Sequence, residues 1–426
     1  MSVAIIVKLV VFAHKPPPHH GQSYMVEQLL EVCGRDQRVA GGSPRSSPRP
    51  SAEGSQPIGV KCYHVDCRYS DELGEIGHAS WRKFFRLIKY CAEALWCRAR
   101  YGAADFLYIP APGMRAPLYR DWMVMAICRL FFRSRIFYWQ AAGLSEWLVT
   151  NARPWERWLS LFLLGHPDLS IVLGEYGRGD AGYFGSRRVV VVPNAIPDPC
   201  PKFNLEVCPS RQARANRRVQ LAKESMPDSS GDHVEIYRVL FISLCTREKG
   251  LFDALDATAL ANRELARRRS RMRVQLSVAG KFWRDGERVE FEQRIQQPDL
   301  AAALGGTSDP AARYCGFVSG EQKKRLFDQC DCLCFPTYYP TESFGIVLIE
   351  AMAHGMQIVT TRWRTIPELF PEGFAGLVEP RSPAQIADAL VSCLSQDYDG
   401  TLREHFLSKF TRERFAENIK AALLQG

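Results

Sequence analysis

The chain lacks several features that would assign it to a simple class. The apolar segment at residues 1–13 is shorter than the roughly 20 residues needed to span a bilayer, carries Lys8 and leads into prolines. No apolar run after it approaches that length. We identify no secretory signal peptide, and the 14 cysteines form no regular framework. These absences argue against a membrane-spanning protein and a disulfide-rich secreted domain. They indicate a reducing, cytoplasmic compartment with free thiols.

Signatures of metal and nucleic-acid binding are also scarce. Cys330, Cys332 and Cys334 alternate along a predicted strand, so they share one face and are candidate metal ligands. Zinc ligands usually come from turns, whereas small residues on a buried strand pack against a helix, which is the role we expect here. The net charge of +9 comes with no nucleic-acid motif. We therefore expect neither a metal nor a nucleic-acid partner.

The most informative stretch that is present is 340–355. Glu342 and Glu350 lie eight residues apart, and the apolar run after Gly345 predicts a short helix that starts at Phe344 or Gly345. Unpaired amides at a helix start stabilise a pyrophosphate or the charge on a leaving phosphate. Glu350 would lie about 7.5 Å along the axis, at about 1.5 Å per residue, which leaves room for a ribose.

Taken alone, Glu342 could be a solvated loop residue and Glu350 an exposed helix residue. The flanking sequence favours a site, because residues 330–335 and 357–361 are predicted strands on either side of the loop and helix. Strand, loop, helix and strand in succession form a doubly wound unit, whose ligands bind at the carboxyl ends of its strands.

This stretch resembles the retaining glycosyltransferases of glycosyltransferase family 4, whose hallmark is Glu-x-Phe-Gly-x-x-x-x-Glu-Ala. The matching residues are Glu342, Phe344, Gly345, Glu350 and Ala351. Segments 189–198, 239–250, 276–280 and 314–318 look like further family landmarks, so the resemblance covers most of the chain. It implies an α/β, GT-B architecture of two Rossmann-like doubly wound domains that face each other across a cleft.

The resemblance also implies the domain organisation, and 426 residues with 46% hydrophobic composition suffice for two cores. Residues 1–198 are expected to form the acceptor domain, with 35–57 as a low-complexity, disordered loop. Residues 199–236 are expected to be a linker or insertion. Residues 237–405 would form the nucleotide-sugar donor domain, and 406–426 a terminal helix that packs back on the first domain.

The implied activity is hexosyltransferase-type transfer, with retention, from a nucleoside diphosphate sugar to a hydroxyl of a glycan or lipid-linked acceptor. No metal or other cofactor is expected. Glu342, at the donor sugar, and Lys249, at the diphosphate, are the expected catalytic residues, and Glu350 is expected at the ribose. The other donor-binding candidates are Ser343, Phe344, Gly345, Ile346, Arg247, Gly280 and Val318. The acceptor-side candidates are Gly21, Gln140 and Asn194.

Two positions depart from the family pattern. Ser243 and Leu244 stand where the family often has Gly-Arg, and Arg247 is the nearest substitute for that diphosphate ligand. Gln140 stands where the family frequently has a histidine. A glutamine can donate a hydrogen bond to a sugar but cannot act as a base, and the family's front-face mechanism needs none.

A basic, aromatic segment spans residues 81–135, with eleven Lys or Arg against three acidic residues. It could contact an anionic membrane surface that presents a lipid-linked acceptor. Equally, its aromatic residues could form ordinary helix cores with a solvated basic rim. Three other functions stay open: a GT-B sugar-nucleotide epimerase, a catalytically weak sugar-nucleotide-binding partner protein, and a peripheral membrane scaffold.

Overall fold

A computed structural model describes residues 7–16, 21–34, 36–38, 59–68, 81–223, 234–304 and 309–424. The chain forms two compact units, residues 1–195 with 412–426 and residues 196–411. Most of the loop expected at 35–57 lies outside the described residues, but Asp36 bridges to Cys62 of the first sheet. Among the described residues, no helix is both long and apolar enough to cross a membrane.

Unit 1 contains a parallel sheet of six described strands in the order β2-β1-β3-β4-β5-β6. The strands are β1 (Val7–Ala13), β2 (Val60–Asp66), β3 (Asp105–Tyr108), β4 (Ser134–Tyr138), β5 (Leu169–Val172) and β6 (Val189–Val191). The helices are α1 (Gly21–Val32), α2 (Trp81–Tyr101), α3 (Arg115–Cys128), α4 (Leu144–Thr150), α5 (Pro154–Leu164), α6 (Arg178–Tyr183) and, from the chain end, α16 (Arg412–Leu424).

Unit 2 repeats this plan with the strand order β12-β11-β10-β7-β8-β9. Its described strands are β7 (Glu235–Ile242), β8 (Met272–Ala279), β9 (Ala312–Tyr314), β10 (Cys332–Phe335), β11 (Gln357–Thr361) and β12 (Leu377–Val378). The helices are α7 (Phe203–Glu206), α8 (Cys208–Lys223), α9 (Leu251–Arg267), α10 (Asp285–Ile295), α11 (Pro298–Ala301), α12 (Gly320–Gln329), α13 (Ile346–Ala353), α14 (Pro383–Leu394) and α15 (Thr401–Lys409).

The predicted α/β, doubly wound class is confirmed in both units. Each described strand pairs in parallel, and central strands such as β10 are buried along their whole length, as expected for a sheet covered on both faces. Cys332 and Cys334 are fully buried in the apolar core of unit 2, where burial raises the pKa of the Cys334 thiol. They are packing residues, as their alternation on a buried strand suggested.

Two segments have secondary structure that the sequence analysis did not describe. Residues 199–236, expected to be a linker or insertion, contribute α7 and α8 to unit 2. Arg211 of α8 is only 3% exposed and donates to the carbonyl oxygens of Phe327, Cys330 and His354. Buried arginines therefore anchor a helix that looks solvent-exposed by composition.

The chain end also differs, because 406–424 is not one helix. α15 ends at Lys409 and α16 begins at Arg412, and Ile196 bridges to Thr411 between them. α16 belongs to unit 1, where Arg412 forms a 2.6 Å ion pair with Glu31 of α1.

Candidate active site

The sheet order of unit 2 marks the position of a ligand site. From β7 the chain moves outward to β8 and β9 and then returns to place β10 on the other side of β7. This reversal is a topological switch point, and ligands of doubly wound sheets bind beyond the carboxyl ends of the strands there. The loops that leave β7 and β10 carry Lys249 and Glu342, respectively.

These two loops are held together by backbone contacts. The amide of Tyr338 donates to the carbonyl oxygen of Glu248 at 2.8 Å. Gly250 has φ of 81°, and a side chain there would place its Cβ 2.2 Å from the carbonyl oxygen of Pro336. Only glycine permits this approach without strain. The Lys-Gly turn therefore fixes the direction in which Lys249 leaves the backbone.

Lys249 and Glu342 form an ion pair, with Nζ 2.5 Å from Oε2. Their side chains are 13% and 11% exposed, so both charges are largely withdrawn from water. The Lys249 ammonium also lies 4.7 Å from the ring centre of Tyr339 and 5.6 Å from that of Phe335. A carboxylate and two aromatic rings thus orient one cation.

The backbone of Tyr339 also stabilises the turn that carries Glu342. Its carbonyl oxygen accepts from the Glu342 amide at 3.0 Å and from Trp363 Nε1 at 2.9 Å. Trp363 follows β11, so the loop after a third strand supports the same turn. The position of Glu342 is therefore determined by backbone and side-chain bonds besides the ion pair.

Helix α13 begins at Ile346, one or two residues later than expected, with Gly345 as its N-cap. Gly345 has φ of 74°, a left-handed conformation that favours glycine. The first-turn amides of an α-helix have no intrahelical acceptor, so this end of α13 can receive an anion. Phe344 is 1% exposed and packs against Phe410, which anchors the preceding turn, whereas Ser343 is half-buried.

Glu350 lies on α13 and forms an ion pair with Lys323 of α12, with Nζ 2.5 Å from Oε1. The two side chains are 34% and 22% exposed, in that order of lysine and glutamate, so the pair remains accessible. The sequence analysis did not identify Lys323. Its signal was weak, because one lysine in a charged helix resembles a solvated residue.

Gly280 and Val318 lie at the ends of the neighbouring strands. Gly280 has φ of 150°, and a Cβ there would lie 1.8 Å from the carbonyl oxygen of Ser243, in the loop after β7. Val318 is half-buried beyond β9, next to Phe317, which is 60% exposed and has the Lys281 ammonium 4.6 Å from its ring centre. The segment expected to meet the base thus also presents an aromatic surface, which the sequence analysis did not single out.

Arg247 is engaged away from the Lys249 ammonium. Its guanidinium pairs with Glu290 of α10 and lies 4.4 Å from the ring centre of Phe252. The hydrogen bond to Glu290 raises the pKa of Arg247. The structure therefore gives this residue a surface ion pair, and a contact with a diphosphate would require the side chain to leave it.

The acceptor-side candidates belong to unit 1. Gln140 follows β4 and Asn194 follows β6, and their amides are reciprocally bonded, with Gln140 Nε2 donating at 3.1 Å and Asn194 Nδ2 at 3.3 Å. Tyr138 also donates to Asn194 Oδ1, and burial raises its pKa. Gly21 is the exposed first residue of α1. Gln140 therefore has a structural partner that the sequence analysis did not foresee.

One group of described residues brings three potential metal-ligand atoms within 4.8 Å of one another: Cys200, Asp328 and His354. Cys200 Sγ lies 3.2 Å from His354 Nδ1 and 3.7 Å from Nε2, so it faces the ring more than the lone pair of Nδ1. Burial raises the pKa of the Cys200 thiol to about 11, which disfavours a thiolate ligand. His354 Nδ1 also lies 3.1 Å from Asp328 Oδ1. We therefore interpret the group as a hydrogen-bonded cluster that links the segments carrying these three residues.

Comparison with known proteins assigns the region that carries these loops. A family model described as Glycosyl transferases group 1 matches residues 237–396. The match covers less than half of the chain, so in this region the chain is similar to that family. The matched residues include the Lys-Gly turn and both glutamates.

The curated relatives match over short segments. A D-inositol 3-phosphate glycosyltransferase of Corynebacterium kroppenstedtii is 35% identical over 110 residues, which cover 26% of this chain and 22% of that protein. O-antigen chain mannosyltransferase B of Escherichia coli is 28% identical over 160 residues, or 37% of each chain. The chain thus spans well under half the length of these relatives.

The solved structures establish the architecture across the whole chain. The crystal structure of Anabaena HepE in complex with UDP-glucose is similar with a TM-score of 0.59, at 14% identity, over 98% of this chain and 100% of that one. At this identity the likeness concerns the fold alone. The expected GT-B fold is therefore confirmed, with one Rossmann-like sheet in each unit.

Proposed function

We propose that the protein is a retaining glycosyltransferase that moves a hexose or similar sugar from a nucleoside diphosphate sugar to a hydroxyl of a glycan or lipid-linked acceptor. The observation that carries the proposal is the Lys249–Glu342 ion pair at the switch point of unit 2, in the loops that precede α9 and α13. A cation and a helix start suit a diphosphate, and a carboxylate suits a sugar that gains positive charge.

The proposed roles follow from these charges. Lys249 and the amides from Phe344 to Ile346 would stabilise the departing diphosphate, while Glu342 would bind the donor sugar and stabilise positive charge at its anomeric carbon. Glu350 would accept hydrogen bonds from the ribose, and Gly280 and Val318 would border the base. Arg247 would contribute only after it leaves Glu290.

The proposed transfer occurs on one face of the sugar. The bond from the anomeric carbon to the phosphate oxygen breaks, the bond to the acceptor oxygen forms on the same side, and the acceptor proton passes to the leaving phosphate. No side-chain base is then needed. Gly21 and the pair Gln140 and Asn194 would form part of the acceptor side, with the pair shaping the backbone there.

Relatives and structural neighbours support the donor class, since one is named a mannosyltransferase and another was crystallised with UDP-glucose. A panel of nucleoside diphosphate sugars should therefore contain a donor that raises the melting temperature. A ligand at 100 times its dissociation constant stabilises by about 2.7 kcal/mol. Product formation should persist in excess chelator, because Lys249 and the helix amides are proposed to neutralise the diphosphate. Abolition by chelator and recovery with manganese would contradict that scheme.

The same assay separates the alternatives. An epimerase would convert the donor with no acceptor present, which nuclear magnetic resonance of the donor alone would detect. A sugar-nucleotide-binding partner protein would show the thermal shift with neither conversion nor transfer. Acceptor-dependent formation of a glycoside with the donor's anomeric configuration is the outcome that the proposed function requires.

A further inference from the structure

Helix α5 of unit 1 turns an apolar stripe toward solvent. Trp158 is 65% exposed, Phe162 57%, Trp155 49% and Leu161 39%. The buried side of the helix includes Leu163 and Leu164, together with Glu156, which is 0% exposed. A surface helix normally has a polar outer face, so the four large apolar side chains on the outer face of α5 depart from that pattern.

The loop between α3 and β4 extends this stripe. Leu130 is 81% exposed and Phe131 is 56% exposed. Arg129 connects the two elements, because its guanidinium donates to the carbonyl oxygen of Phe162 and lies 5.1 Å from the centre of that ring. We call this continuous surface the α5 face, which comprises Leu130, Phe131, Trp155, Trp158, Leu161 and Phe162.

Arginines border the Phe131 end of the α5 face. Arg98 of α2 donates to the carbonyl oxygen of Phe131 at 3.1 Å, and Arg133, two residues after Phe131, is exposed. On α5 itself the sole acidic residue is Glu156, which is buried and paired with Arg115. Aromatic and aliphatic tips with an arginine rim match the chemistry of an anionic lipid surface.

We propose that the α5 face binds an anionic lipid bilayer, with α5 parallel to the membrane plane, Trp158, Phe162, Leu130 and Phe131 inserted among the lipids, and the arginines at the phosphates. This inference goes beyond the proposed transfer reaction and does not depend on it. Trp, Phe and Leu are typical of the apolar face of helices that lie in the bilayer interface, and Arg pairs with phosphate. An exposed apolar surface of this kind otherwise favours self-association.

The bilayer contact overlaps only in part with the one that the sequence suggested. Within 81–135, Trp122 and Phe132 are each 7% exposed and belong to the core of unit 1, as the helix-core interpretation predicted. Phe85 and Trp96 of α2 are 67% and 49% exposed. The basic segment is thus partly core and partly exposed. It supplies Leu130 and Phe131 of the inserted residues, and α5 supplies Trp158 and Phe162.

Vesicle sedimentation of the full chain tests the proposal. The protein should bind vesicles of phosphatidylcholine with 30% phosphatidylglycerol, prepared for the assay, and should bind pure phosphatidylcholine much more weakly. The double variant Trp158→Ser, Phe162→Ser should lower the partition coefficient at least about tenfold, because it removes two inserted side chains. Arg133→Gln should lower it about fivefold and reduce its salt dependence.

Matched controls lie in unit 2. Leu205→Ser removes another apolar side chain that is 80% exposed, and Lys202→Gln removes another exposed cation, so both should partition like the wild type. Donor-induced thermal shifts should be unchanged in all these variants, which separates membrane binding from donor binding. Wild-type partitioning of the double variant would overturn the proposal. Failure of the wild type to bind either kind of vesicle would also overturn the proposal. A wild-type dimer in solution that becomes monomeric in the double variant would overturn it as well, because the α5 face would then be a dimer interface.

Discussion

Each unit has a pair of polar side chains in the loops that follow the carboxyl ends of its parallel strands, and the two pairs differ in charge and burial. Lys249 and Glu342 are oppositely charged and lie in the loops after β7 and β10, the second of which leads into the start of α13. Gln140 and Asn194 are neutral, almost fully buried and bonded to each other in both directions. The first pair can exchange its partner for a charged ligand. The second is already satisfied, so a ligand would have to break it.

The contrast suggests a role in ligand binding for the charged pair and a structural role for the neutral pair. An ion pair that is largely withdrawn from water costs desolvation free energy and is weak evidence for stability, so the Lys249–Glu342 pair is a candidate for a role with a ligand. A reciprocal amide pair satisfies polar groups that burial would otherwise leave unpaired. The predictions below test whether the two pairs behave as differently as their surroundings suggest.

The largest expected effect is on turnover in Glu342→Ala. The change removes the carboxylate proposed to stabilise charge at the anomeric carbon, so kcat should fall about a hundredfold or more while donor affinity changes far less. Glu342→Gln keeps the shape without the charge and should lose nearly as much activity. Calorimetric titration of the donor beside product formation measures both quantities. Wild-type turnover in either variant would show that Glu342 does not contribute to the proposed reaction.

A smaller effect is expected on donor affinity in Glu350→Ala. Hydrogen bonds to a charged acceptor are each worth about 1.5–3 kcal/mol, so affinity should fall at least tenfold. The matched control is Lys324→Ala, because Lys324 neighbours Lys323 in the chain but pairs with Asp328 at 2.8 Å. Unchanged affinity in Glu350→Ala, or an equal loss in the control, would show that the ribose does not bind there.

Much of this site could be predicted from sequence because its backbone requirements are local. Gly250 and Gly345 occupy left-handed conformations next to the candidate residues, and the apolar run after Gly345 does form α13. The glutamates lie within one strand, loop and helix, so their spacing carries the information. The fold followed equally well from strands that read as continuous apolar runs.

The features that were missed depend on contacts between distant segments. α8 looked like a linker because its buried side includes Arg211 and Arg218, which bond to carbonyl oxygens or pair with Asp331. No proline or glycine marks the break between α15 and α16, so the sequence carries no local signal for it. Lys323 and Tyr339 became visible only through their partners, because a charged helix residue and a loop tyrosine carry no signal of their own.

Tyr339 offers a further test of how Lys249 is oriented. Tyr339→Leu removes the ring beside the ammonium, and cation–π contacts are worth about 0.5–2 kcal/mol, so kcat should fall by severalfold. Tyr339→Phe keeps the ring and should retain near wild-type turnover. Equal losses in the two variants would assign the effect to the hydroxyl group instead of the ring. Steady-state kinetics with saturating donor provide the measurement.

The smallest effect on catalysis is expected from the neutral pair. Gln140→Ala leaves the buried amide of Asn194 without its main partner, which should cost about 1–3 kcal/mol of unfolding free energy. Donor affinity should not change, because the pair belongs to unit 1. The double variant Gln140→Leu, Asn194→Leu removes both amides together. It should be less destabilised than the two single changes together predict, with a remaining cost from the Tyr138 hydroxyl, which loses its acceptor on Asn194. Chemical denaturation and donor calorimetry measure these effects. If Gln140→Ala instead lowered kcat/KM for the acceptor without a loss of stability, the Gln140 amide would contact the acceptor directly, and the two pairs would both be functional.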